Sequence, residues 1–233
     1  MIINQETLQK LPKNSVSFIT IDGITCSGKT IYAKLLKKKL IKYFPEVLIL
    51  SKDLFLYPRK KRIKISKNIK NIKNINQNSL HYDHKKLKNL LSFIVGKSAK
   101  QKLTLKNLYN RKTGKNDYIF KLKYSKKRLI IFEGIYVNDD IKFINKSILR
   151  VLLIENVYIS LSRKIERIRD KKISIQLLVS EFLNIHLYSF KSYLSKSKYD
   201  LSLHYSNEKF VKIKNGKAKQ LKNILSFFNK HVY

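Results

Sequence analysis

Gly23-Ile24-Thr25-Cys26-Ser27-Gly28-Lys29-Thr30 sets two glycines, a lysine and a hydroxyl residue at the spacing G-x-x-x-x-G-K-[ST], and the chemistry of that pattern is phosphate binding. Gly23 and Gly28 admit backbone conformations that a side chain would forbid, so successive N–H groups can converge on an anion. Ile24, Thr25, Cys26, Ser27 and Ile31 complete the loop and first turn that would supply those groups. Lys29 brings a mobile charge to β and γ phosphates, and the Thr30 hydroxyl suits Mg2+. The expected occupant is a nucleoside triphosphate, ATP or GTP, with Mg2+. Cys26 is the sole cysteine and reads as a small loop filler, because nothing nearby in sequence pairs with it as a catalytic base.

Strand, loop and helix must follow one another for this to work, and the flanking pattern supplies them. Val16 to Ile21 predicts a short buried strand, and Ile31, Leu35, Leu36, Leu40 and Tyr43 recur at helical spacing until Pro45. Val47 to Leu50 predicts a second strand, which runs out into Asp53, Tyr57 and Arg59. Ligands in open α/β sheets sit beyond the carboxyl ends of the strands, so Asp53 is placed to face a γ phosphate. Leu129 to Phe132 is a further buried strand whose end is Glu133, a carboxylate well placed opposite the loop to hold Mg2+ through water. Ile148 to Ile154 is the next strand, Val157 to Arg169 a helix bearing Arg163 and Arg167, and Tyr199 to His204 the last strand.

The intervening segments are predicted as a polar, solvated insertion over 60–80 and a helix carrying Leu87, Leu90, Leu91 and Ile94 that is preceded by Asp83 and His84. A β-ribbon follows over 103–124. Ile173 to Lys196 reads as one long amphipathic helix with Leu177, Leu178, Phe182, Ile185, Tyr188 and Phe190 on its buried face. An edge strand at Phe210–Lys214 and a terminal helix at Ala218–Lys230 would close the chain.

Composition sets outer limits. The 233 residues suit one α/β domain with insertions, and a single cysteine excludes an intrachain disulfide framework. The sequence lacks an apolar run of about eighteen residues and a leader pattern, so a cytoplasmic chain that does not engage a membrane is expected. A formal charge of +36 invites a nucleic-acid reading, but lysine is spread through nearly every segment, as a biased composition would produce. No specific nucleic-acid partner is therefore expected, and a homo-oligomer stays open.

Together, Gly23 to Thr30, Asp53, Tyr109-Asn110-Arg111, Ile130 to Ile135 and Leu161 to Arg167 resemble, in order, the uridine kinase family of the phosphoribulokinase group of P-loop kinases. The resemblance runs over roughly 15–204. It implies a three-layer α/β P-loop nucleoside triphosphate hydrolase fold with a mostly parallel sheet, a β-hairpin lid at 103–124, a helical lid, and a C-terminal strand and helix over 205–233, all in one kinase domain. The implied reaction carries the γ phosphate of ATP to the 5′-hydroxyl of uridine or cytidine, with Asp53 as base and Lys29, Arg163 and Arg167 on the phosphates. Thr30 and Glu133 would hold Mg2+, and Asp53, Tyr57, Arg59, Asp83, His84 and Tyr109 would face the acceptor. Read as residues alone, Asp83 is equally a helix cap, Tyr109 a strand aromatic, and the arginines a solvated basic face. Two other readings remain beside it: a P-loop kinase for a different small hydroxylated metabolite, and a nucleotide-dependent RNA-binding protein without catalysis.

Overall fold

The computed structural model describes residues 11–68, 80–96, 100–142, 144, 148–167, 174–206 and 209–212. The strands are β1 (Ser17–Gly23), β2 (Val47–Ser51), β3 (Lys102–Leu108), β4 (Tyr118–Lys123), β5 (Leu129–Glu133), β6 (Ile148–Ile154), β7 (Leu201–Ser206) and β8 (Lys209–Lys212). Among the described residues, six of them form one sheet in the order β2-β5-β1-β6-β7-β8, and β3 with β4 makes a separate antiparallel ribbon. Each pairing in the main sheet is parallel except β7 with β8. The arms of this sheet leave β1 in opposite directions, which puts a crevice at its carboxyl end.

Strands buried on both faces must be apolar on both, and β5 (Leu-Ile-Ile-Phe-Glu) is buried at every position. Along β1, Ile19 and Ile21 pack with Tyr32, Ala33, Leu36 and Leu40 of the following helix, while Phe18 packs on the other face with Phe132, Leu90, Leu91 and Ile94. A third cluster, with Leu152, Ile154, Phe182, Phe190 and Tyr193, covers the β6 side. Helices thus flank the sheet on both faces, giving the expected three layers.

The helix after the loop, α1 (Lys29–Leu40), buries Leu36 and Leu40 as predicted but differs from the prediction in its first two turns. Ile31 and Leu35 are exposed, and Tyr32, Ala33, Leu36 and Leu40 are buried. The cause lies at its first residue: Lys29 points back into the loop, so the inward stripe runs at 29, 32, 33, 36 and 40.

Lys60 to Lys67, expected as solvated connection, lies within a helix, α2 (Arg59–Asn68); residues 69–79 fall outside the described part. Next come α3 (His84–Ile94), a short α4 (Val137–Asp140) and α5 (Val157–Arg167). The long helix predicted after it is broken in three, with α6 (Ile175–Glu181), a π turn (Phe182–Leu187) and α7 (Tyr188–Leu194). A π turn admits one extra residue, which moves the buried stripe from Tyr188 to Leu187. Among the described residues no helix is long and apolar enough to cross a membrane. The expected terminal helix at 218–230 lies outside the described residues, as does Arg169.

Candidate active site

Strand register assembles the site. Ile21 of β1 and Ser51 of β2 both pair with Glu133 of β5, so β2 and β5 end level and β1 runs two residues further into the loop, with the loop, Asp53 and Glu133 at one edge. Gly23 is required by a close approach: a Cβ there would stand 2.6 Å from the Leu153 carbonyl oxygen and 2.7 Å from Ser27 Oγ. Gly28 is required by conformation, with φ of 87°. Cys26 takes a left-handed backbone (φ 61°) without glycine's freedom, a local strain of about 1–2 kcal/mol held by the surrounding loop.

Lys29 folds back over the loop and donates to the carbonyls of Gly23 (2.9 Å) and Ile24 (2.6 Å) and to Ser27 Oγ (3.4 Å). Burial holds its pKa below the ordinary lysine value, against the pull of Glu133, Asp53 and Asp22. Gly28 caps α1 without a side-chain hydrogen bond, and the first turn carries no acid, so nothing on the helix itself competes with an anion there.

Thr30 Oγ1 donates to Glu133 Oε1 at 3.3 Å. Glu133 is 3% exposed; burial and then the neighbouring Asp53 charge raise its pKa, while Ser51, Lys29 and Arg111 oppose the rise. A divalent cation fits this pair chemically: both ligands are hard oxygens, and the buried carboxylate lacks a full counter-charge. Among the described residues no group of three or more His, Cys, Asp or Glu could hold a metal.

Asp53 sits on a 3-10 turn (Lys52–Phe55) directly after β2. Its Oδ1 accepts from the Tyr82 hydroxyl at 3.3 Å, and its Oδ2 is hydrogen-bonded and ion-paired to Arg111. Neither partner stood among the expected site residues, though Arg111 belongs to the Tyr109-Asn110-Arg111 stretch. Tyr109 N–H donates to the Leu54 carbonyl at 2.8 Å, which fastens the ribbon's turn beside Asp53. The Arg62 guanidinium lies 5.2 Å over the Tyr109 ring and donates through Nε to the Tyr57 carbonyl at 2.9 Å, while Lys61 Nζ stands 3.6 Å above the Tyr57 ring. Arg59 is the first residue of α2. Tyr57 and Tyr109 are thus joined through Arg62, and Tyr109 is tied to the turn that carries Asp53.

Asp83 and His84 make local contacts at the start of α3. Asp83 caps α3, accepting from Lys86 N–H at 3.0 Å, and pairs with the Lys86 ammonium at 3.7 Å. His84 Nδ1 lies 3.6 Å from Asp140 Oδ1 and the ring is half exposed. On α5, Arg163 donates to the Cys26 carbonyl (3.4 Å) and to Glu155 (2.7 Å), and Arg167 reaches the Cys26 sulfur at 3.5 Å. Cys26 is therefore more than filler: it is where the arginine-bearing helix meets the loop.

Two buried groups behind the site have no counterpart in the expected set. Asp22, wholly buried before Gly23, accepts from the backbone N–H of Gly23 (2.9 Å) and Tyr136 (3.0 Å) and from the hydroxyls of Tyr193 (2.5 Å) and Tyr199 (3.3 Å). Burial pushes its pKa up to about 6, with the Tyr193 hydrogen bond the main opposing effect. A carboxylate inside an otherwise apolar strand is the signal that could have found it. Lys52 pairs with Asp140 at 2.7 Å, both nearly inaccessible, under the rings of Tyr82 and Tyr136.

No family model matches the chain, and no curated protein matches it. Solved structures do. A possible uridine kinase from Bacillus stearothermophilus is 18% identical with a TM-score of 0.55, over 84% of this chain and 93% of that one. The D-glycerate 3-kinase from Cryptococcus neoformans is 13% identical with a TM-score of 0.57, over 84% of this chain and 88% of that one. The YGR205w protein is 17% identical with a TM-score of 0.55, over 90% and 93%. At these identities the likeness is one of architecture, and the chain has the three-layer α/β fold of the P-loop kinases.

Proposed function

We propose that this chain, as one kinase domain, transfers the γ-phosphoryl group of ATP or GTP to a hydroxyl of a small metabolite, with Mg2+ as cofactor. The observation that carries the proposal is the meeting of Lys29, Thr30 and Glu133 with Asp53 at one sheet edge. Simple nucleotide binding has no use for a carboxylate at Asp53, whereas an acceptor hydroxyl needs a group to take its proton.

Each residue then has a distinct task. Loop N–H groups and Lys29 grip the β and γ phosphates. Thr30 and Glu133 would hold Mg2+, which would neutralise charge on the phosphates. Asp53 accepts the proton of the acceptor hydroxyl as its oxygen forms the new P–O bond; the bond from the γ phosphorus to the bridging oxygen breaks, and its electron pair leaves on ADP. Arg163 and Arg167, held at the loop apex through Cys26, balance charge on the transferring group. Uridine and cytidine are the acceptors implied by the sequence resemblance, and D-glycerate is named by one structural neighbour.

Purified protein with ATP·Mg2+ should release ADP only when a suitable hydroxyl compound is added, and Lys29→Ala should abolish that release and weaken triphosphate binding. Unchanged turnover in Lys29→Ala would refute the assignment of the loop.

A further inference from the structure

The acceptor side of the site is cationic, although the proton-accepting group is an acid. Arg111 has Asp53 as its one hydrogen-bond partner among the described residues, and its side chain is 58% exposed. Arg62 is held by Tyr57 and Tyr109, with Lys61 over the Tyr57 ring. The acids nearby are committed: Glu133 to Thr30, Asp83 to the α3 cap, Asp140 to Lys52, and Asp117 to Thr113.

Both Asp53 oxygens are also occupied, one by Tyr82 and one by Arg111. An acceptor hydroxyl can reach Asp53 only if one of them gives way. A neutral acceptor offers Arg111 nothing in exchange for the carboxylate. An acceptor that carries its own carboxylate or phosphate offers a bidentate partner of at least equal charge.

We infer that the acceptor is an anionic hydroxyl compound, a hydroxy acid or a phosphorylated polyol, whose anion is taken by Arg111. Its binding draws Arg111 off Asp53 and leaves Oδ2 open to the hydroxyl, so the acceptor itself readies the base. The exchange is inexpensive because the guanidinium trades one anionic partner for another and is never left without one. This rests on the kinase reading above and replaces the nucleoside with a different acceptor class.

The test measures ADP release, with products identified by phosphorus NMR, for wild-type protein and ATP·Mg2+. The acceptors are D-glycerate, D-gluconate and ribulose 5-phosphate on one side, and uridine, cytidine, D-fructose and glycerol on the other. The expected result is turnover with at least one anion and none with the neutral compounds. In addition, Arg111→Gln should raise the KM for that anion about 10- to 100-fold with kcat less affected, and Arg111→Lys should recover part of the loss. Affinity for a fluorescent ATP analogue should be unchanged in both variants. Turnover confined to neutral acceptors, or an anion KM indifferent to Arg111→Gln, overturns the inference and leaves the kinase reading standing. An absence of ADP release with every compound removes both.

Discussion

Replacing Asp53 by asparagine separates chemistry from structure at this site. The asparagine would keep its oxygen within reach of the Tyr82 hydroxyl, which lies 3.3 Å from Asp53 Oδ1, and would turn an amide NH2 toward Arg111. The folding cost is small. The lost ion pair joins a 58% exposed arginine to an aspartate 20% exposed, a class of pair contributing about 0–1 kcal/mol. The phosphate loop is untouched, so triphosphate affinity should stay within about threefold, since Lys29 bonds within the loop and Thr30 bonds to Glu133. Turnover is different, because the amide cannot take a proton at neutral pH, and loss of a general base lowers kcat by about 10² to 10⁴, equivalent to about 3–5 kcal/mol on the barrier. A coupled ADP-release assay at saturating acceptor, paired with displacement of a fluorescent ATP analogue, reads both quantities. A kcat within about tenfold of the parent would show that Asp53 only shapes the turn and orients Arg111 and Tyr82.

The remaining predictions concern the groups around it. Asp22→Asn should fold, since its carbonyl can accept from Gly23 and Tyr136 N–H while the tyrosine hydroxyls rotate to accept from its NH2; Asp22→Leu strands those buried N–H groups and should cost about 2–5 kcal/mol in urea melts. The native Asp22 carboxyl, raised from 3.8 to about 6, favours the folded state most below pH 3.8 and loses that contribution as pH rises through 6. His81, lowered from 6.5 to about 4 by burial and then by Arg62, acts oppositely: its contribution is full above pH 6.5 and is lost as pH falls through 4. In Asp22→Asn the opposing Asp22 effect is removed, so stability should climb between pH 4 and 6 more steeply than in the parent; an identical slope refutes the Asp22 assignment. Asp83→Asn should change neither melting temperature nor acceptor KM, because asparagine caps equally well; a raised KM would place Asp83 against the acceptor after all.

Much of this site was legible in the chain because its determinants are local. G-x-x-x-x-G-K-T between an apolar strand and a helix dictates its own geometry, and a carboxylate ending an all-apolar strand, as Glu133 does, can only emerge at the sheet's carboxyl edge. The level ends of β2 and β5 follow from the strand lengths that the hydrophobic runs already marked. The ribbon over 103–124 was equally visible from its alternation.

Tertiary structure decided whatever depends on contacts between distant segments. The rotation of α1 escapes periodicity because Ile31 and Leu35 satisfy helical spacing as well as Tyr32 and Ala33 do; only the inward reach of Lys29 selects between them. One residue of slack in the π turn exchanged Leu187 for Tyr188 in the core, and apolar periodicity counted at 3.6 per turn cannot register that. Asp83 caps α3, which begins at the very next residue. Above all, Arg111 and Asp53 are 58 positions apart, and in a chain this rich in lysine and arginine no composition or spacing rule singles out one cation. Folding does so by hanging the ribbon's turn on Leu54, and with that contact it places the guanidinium against the carboxylate.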